Sequence, residues 1–128
     1  MSDSIARLYQ AVEAASERDP ATSRTARLIR AGVPKAAKKM AEEAVEVVID
    51  AMAGESEAVV RESADLIYNL VVLWAAAGVR PEQVWAEMER RERMMGIAEK
   101  LPKKDVVAAS ARRKVVALAA HGYGKRSR

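Results

Sequence analysis

Glu42, Glu43 and Glu46 form the pattern E-E-x-x-E, and Glu62 and Asp65 follow as E-x-x-D. Converging carboxylates make an oxygen-only site, which suits a hard divalent cation, most naturally Mg2+ or Mn2+. On a helix turning about 100° per residue, Lys39, Glu42, Glu43, Glu46 and Asp50 fall within roughly 100° of arc. Met40, Ala44, Val47 and Val48 take another face. Glu43 and Glu46 are three apart, so both can point at one spot. Lys38 and Lys39 pair only partially with Glu42 and Glu43, because Lys before Glu is the weaker orientation. Glu46 and Asp50 have no cation one turn away. A merely solvated acidic face is the plain alternative, but like charges stacked along one face cost stability unless positive charge comes from outside. Asp50 is read as an ordinary solvated residue.

The segment after Asp65, Leu-Ile-Tyr-Asn-Leu-Val-Val-Leu-Trp, is apolar on nearly every face and predicts a central, buried helix. Glu62, Asp65 and Asn69 nevertheless share one stripe of it. Carboxylates entering a buried helix need partners. A tight turn at Gly54 would set this helix antiparallel to the preceding one, bringing its polar stripe against Glu43 and Glu46. Four carboxylates, Glu43, Glu46, Glu62 and Asp65, then form the expected metal site. A di-iron bundle also uses facing Glu residues but requires Glu-x-x-His. The single histidine is His121, far along the chain, which excludes it. The absence of Cys excludes disulfides and thiolate metal sites.

Between Thr22 and Lys39 stand Arg24, Arg27, Arg30, Lys35, Lys38 and Lys39 without one acid. From Glu42 to Asp65 there are eight acids and one base, Arg61. A metal site beside a positive patch suits a polyphosphate, whose oxygens divide between the metal and the Lys or Arg side chains. No glycine-rich phosphate loop is present, so phosphate binding would use the metal and side chains.

The elements that position these groups read as helices throughout. Ser4 is placed to cap a first helix carrying Ile5, Leu8, Tyr9 and Val12, which Asp19-Pro20 ends. Thr22 or Ser23 caps a short second helix closed by Gly32. A third runs from about Lys35 to Met52, and a fourth from near Ser56 to Ala77 with Gly78 after its end. Pro81 opens a fifth, reaching about Met95. Asp105 to Ala120 suits a sixth, Ala-rich helix, with HGYGKRSR as a disordered end. With 26 Ala, no Phe and five aromatic residues, the 128-residue chain favours closely packed helices over strands. So few large side chains leave one protomer a thin core, which points to oligomerisation.

The formal charge of +4 and pI near 9.6 invite a nucleic-acid reading. Residues 1–102, however, carry 14 bases and 17 acids, whereas residues 103–128 carry 8 bases and one acid. The expected division is thus an all-α domain, 1–102, and a basic extension, 103–128, partly helical or disordered. MSDSIARLYQ does not read as a signal peptide. Leu66–Val79 is too short to span a bilayer. The expectation is a cytoplasmic protein without membrane contact.

E-E-x-x-E followed by E-x-x-D resembles the signature of the all-α, MazG-like nucleotide pyrophosphatases. In finer detail the chain is similar to the phosphoribosyl-ATP pyrophosphatases of histidine biosynthesis. The residues that carry this, from Leu8 to about Arg91, are Asp19-Pro20 with Ser23-x-Thr25, Gly32 with Lys35, Lys38-Lys39 before Glu42-Glu43, Ala64-Asp65-Leu66-Ile67-Tyr68, and Gly78-Val79. The resemblance implies an antiparallel bundle of about five helices completed by homodimerisation. It also implies Mg2+-dependent hydrolysis of phosphoribosyl-ATP to phosphoribosyl-AMP and pyrophosphate. Glu43, Glu46, Glu62 and Asp65 would hold the metal, and Glu42 would orient or deprotonate the attacking water. Lys35, Lys38, Lys39 and Asn69 would contact the nucleotide.

Two departures bear on substrate. Ser23-Arg24-Thr25 stands where Ser-Tyr-Thr is usual, and Asn69 where His is common; Asn can hydrogen-bond but does not titrate near neutrality. A house-cleaning nucleoside triphosphate pyrophosphatase with the same four carboxylates is the alternative. A distant one is a helical dimer that binds nucleic acid weakly and without sequence preference through Lys103–Arg128.

Overall fold

The computed structural model describes residues 2–95, with side chains from Ser4 to Met94. Five α-helices account for nearly all of it: α1 (Ser2–Ser16), α2 (Arg24–Ala31), α3 (Val33–Met52), α4 (Ser56–Ala77) and α5 (Pro81–Met95). No strand occurs among the described residues. The chain divides into a first unit, Met1–Ala86, and a second that begins at Glu87. The expected helix from Asp105 to Ala120, the basic extension and the boundary at residue 102 lie outside the described residues.

Local chemistry explains most of the boundaries. Ser23 caps α2, its Oγ accepting the Ala26 amide at 3.1 Å. Ser4 does not cap α1, because that helix already starts at Ser2 and encloses it. Gly32, at φ 93° and ψ 174°, is the one residue between α2 and α3 and serves as end cap of the first and start cap of the second. That backbone region is essentially restricted to glycine. α3 begins at Val33, two residues before the expected Lys35, because Pro34 in the first turn has no amide hydrogen to leave unpaired. Ala53, Gly54 and Glu55 turn the chain from α3 into α4, with Gly54 at φ 74°. Gly78, left-handed at φ 75°, ends α4 as expected.

The core is small. Tyr9 and Val12 of α1, Leu28 of α2, Ala36 of α3 and Val71 and Val72 of α4 are buried together. The largest completely buried side chains are valines. Trp74 and Trp85 meet edge to face with ring centroids 6.1 Å apart. The Thr25 and Tyr68 hydroxyls share a hydrogen bond that ties α2 to α4.

α4 is less enclosed in this single chain than its apolar sequence predicts. Asn69, Val71 and Val72 are buried, but Val60 is 70% exposed and Ile67 42%. α3 pairs most extensively with α4, yet presents Val45, Val48, Ile49 and Met52 to solvent at 56–84% exposure. These four stand at helical spacing i, i+3, i+4, i+7 and form one apolar stripe. Among the described residues, no single helix is long and apolar enough to cross a membrane.

Candidate active site

The turn at Gly54 lays α3 and α4 side by side, and their polar stripes meet. Glu43 of α3 and Glu62 and Asp65 of α4 each offer a carboxylate oxygen, all within 4.8 Å of one another. The i, i+3 spacing of Glu62 and Asp65 puts both on one face. Glu43 keeps only 15% of its side chain exposed and Glu62 is half-buried, while Asp65 opens to solvent. Desolvation holds the Glu62 carboxyl above its usual pKa; the charges of Glu46 and Asp65 and hydrogen bonding to Glu43 push the same way. The site therefore concentrates more negative charge than it can neutralise from within. Lys39 is the nearest compensation, its Nζ 3.7 Å from Glu43 and 4.0 Å from Glu42.

This donor set fits a divalent cation. It is all oxygen, comes from two adjacent helices and is partly desolvated, and the Glu62 carboxyl is held above its usual pKa, first by desolvation and then by neighbouring acids.

The other expected residues take separate positions. Glu46 is exposed and outside the three-carboxylate group, although its charge reaches Glu62. Glu42 is 52% exposed beside Lys39. Lys35 and Lys38 are exposed, and neither has a carboxylate within 4.0 Å among the described residues. Asn69 is buried, only 3% exposed, and its side-chain amide donates to the Asp65 carbonyl at 2.8 Å. That bond braces the turn of α4 that presents Asp65.

A groove of about 700 Å3 is lined by Arg24, Arg27 and Arg30 of α2 and by Lys35 and Lys39 of α3. Lys39 thus belongs both to this groove and to the edge of the acidic cluster. The three arginines were legible only as an acid-free run of cations. Their spacing of three places them along one side of a short helix, the signal that could have assigned them to a single surface.

The family profile described as phosphoribosyl-ATP pyrophosphohydrolase matches residues 5–92. A phosphoribosyl-ATP pyrophosphatase 2 of Rhodopseudomonas palustris is 71% identical over 106 residues, covering 83% of this chain and 81% of that protein. One of the same name from Bradyrhizobium diazoefficiens is 64% identical over 133 residues, covering 98% of this chain and 99% of its own. A phosphoribosyl-ATP pyrophosphatase of Granulibacter bethesdensis is 46% identical over 105 residues, or 82% of this chain and 66% of that protein. With the facing Glu43 and Glu62–Asp65 pairings on α3 and α4, these matches show that the chain belongs to the phosphoribosyl-ATP pyrophosphohydrolase family.

Proposed function

We propose that the chain hydrolyses phosphoribosyl-ATP to phosphoribosyl-AMP and pyrophosphate in histidine biosynthesis, with Mg2+ as the working cation and Mn2+ as a substitute. The observation that carries the metal-dependent part is the group of three carboxylate oxygens within 4.8 Å, drawn from Glu43, Glu62 and Asp65. Glu43, Glu62 and Asp65 are the inner ligands, and Glu46, whose charge acts on Glu62, completes the set at the rim. When bound, Mg2+ lowers the pKa of a coordinated water and stabilises negative charge on the phosphates.

The remaining work falls to side chains of this chain. Glu42 is solvent-open and stands beside Lys39, a setting that suits a carboxylate orienting the attacking water or taking its proton. Lys39 faces the carboxylates on one side and the groove on the other, so it holds phosphate oxygens next to the metal site. Lys35 and Lys38 add positive charge along the approach. Asn69, buried and bonded to the Asp65 carbonyl, acts by bracing the turn of α4 that presents Asp65.

The functional form is a homodimer in the cytoplasm. Support for the dimer comes from the stripe Val45, Val48, Ile49 and Met52 and from the small core; a second copy would bury both surfaces and complete a MazG-like bundle. Residues 1–102 form the catalytic domain, and 103–128 a basic extension with weak, salt-sensitive affinity for nucleic acid.

The test is a panel assay of pyrophosphate release with Mg2+ present. It compares phosphoribosyl-ATP with common and oxidised nucleoside triphosphates. Phosphoribosyl-ATP is expected to give the highest kcat/KM. A better triphosphate substrate would replace this reading with that of a house-cleaning pyrophosphatase.

A further inference from the structure

We propose that the cationic groove between α2 and the start of α3 binds the lone 5′-phosphate of the substrate's phosphoribosyl group, with Arg27 and Lys35 as specificity-determining residues. The inference rests on the substrate reading above. Phosphoribosyl-ATP carries negative charge at two places, the triphosphate and a separate ribose 5-phosphate. An ordinary nucleoside triphosphate carries only the first. An enzyme that tells them apart needs a second anion site next to the one that handles the triphosphate.

The groove has the properties of that second site. Its volume, about 700 Å3, lies within the usual range for small-molecule sites. Five of its lining side chains are cations and none is an acid. Among the described residues, Arg24, Arg27, Arg30 and Lys35 have no carboxylate within 4.0 Å, whereas Lys39 is turned to Glu43. A triphosphate held at the acidic cluster uses Lys39 and leaves four cations for another anion. From Arg24 to Arg30 the groove follows α2 for about 9 Å at 1.5 Å rise per residue, long enough for a sugar phosphate.

Arg27 is the best-positioned reader. Its Nη1 donates to the Pro20 carbonyl at 2.8 Å, which fixes the guanidinium at the groove wall. One donor of five is used, and the rest remain for phosphate. A guanidinium already held in place loses little freedom on binding and offers two parallel hydrogen bonds. Lys35 adds a mobile point charge from the first turns of α3. Leu28 is buried in the core and also borders the groove, anchoring the α2 side of the groove to the core.

The experiment compares kcat/KM for phosphoribosyl-ATP and for N1-ribosyl-ATP, the same molecule without its lone 5′-phosphate. Wild type is set beside Arg27→Ala, Arg27→Lys and Lys35→Ala, with circular dichroism as the folding control. Wild type should prefer the phosphorylated compound. Arg27→Ala and Lys35→Ala should each reduce that preference about ten- to hundredfold, chiefly through KM, as loss of a charge-assisted hydrogen bond predicts. Arg27→Lys should retain part of it. If both substrates fall together with their ratio unchanged, the groove serves the triphosphate or the fold, and the inference is overturned. An unchanged ratio in Lys35→Ala overturns it even where Arg27→Ala fails to fold. Wild type with no preference sinks the inference alone, while wild type inert toward phosphoribosyl-ATP sinks the substrate reading with it.

Discussion

Glu62 stands among like charges at the centre of the acidic cluster. It is half-buried, three other acids act on it, and its carboxyl is held above the usual pKa, first by desolvation. Groups perturbed in this way concentrate at functional sites. Replacing Glu62 by Gln removes one negative charge from the cluster and one candidate ligand. The expected outcome is a fall in kcat of at least about hundredfold, since even partners one layer outside a metal cost 10–100-fold. The helical signal should persist, and the metal-free protein should melt no lower than wild type because like-charge repulsion is relieved. A titration of activity against Mg2+ concentration, with thermal melts in chelator, checks both. Near-normal turnover at ordinary Mg2+ would remove Glu62 from the site.

At the scale of elements, helix ends were written in punctuation that sequence shows directly. Ser23, Gly32, Gly54, Gly78 and Pro81 each mark the boundary or joint they were expected to mark, because caps and turns are local chemistry. Ser4 was misleading, since a serine near a helix start is not its cap once the helix extends past it. The facing of Glu43 with Glu62 and Asp65 was legible from spacing plus one turn. The outlying position of Glu46 was not, because a helical wheel gives angle around an axis but not how far apart two axes run. α5 carries its own ionic network: Glu87 accepts from Arg90 at 2.7 and 2.8 Å and from Arg91 at 2.8 Å. The hydrogen bonds from Arg90, then those from Arg91, lower its pKa from 4.5 to about 2. A depressed acid stabilises the folded helix above its unfolded pKa and loses that contribution as protons return. Glu87→Gln should therefore melt slightly lower than wild type at pH 7. The difference should fade as pH falls from about 4.5 toward 2. A gap that stays constant across that window, followed by helical circular dichroism, would count against the pairing.

Over the described surface, three features stand close together in sequence. The acidic cluster and the cationic groove meet at Lys39, while Val45, Val48, Ile49 and Met52 form an uncovered apolar stripe on the same helix. Composition alone anticipated a thin core but not which helix would carry the uncovered surface. That depends on how α1 and α2 pack, which no periodicity encodes. Charge at the stripe is the direct test of dimerisation. Ile49→Asp, at a position 60% exposed in the single chain, costs the protomer little packing but buries an unpaired charge in a dimer. Sedimentation velocity should show wild type as a dimer at micromolar concentration and the variant shifted to monomer by at least tenfold in Kd. A variant that remains dimeric would move the interface elsewhere.

Gly32 leaves a single residue between the helix that carries the arginines and the helix that carries Glu43. Such a joint has no slack, so the two charged regions form a caliper of one set opening. Gly32 is not helical, at φ 93° and ψ 174°, so inserting one residue there would reset the angle between α2 and α3 and with it the placement of Glu43 relative to the groove. Lengthening this connection is therefore a poor route to new substrates. If the groove and the cluster hold one substrate, a change of ligand length would have to be met by side-chain reach, a Lys for an Arg or an Ala for either, along a scale that the backbone has already ruled.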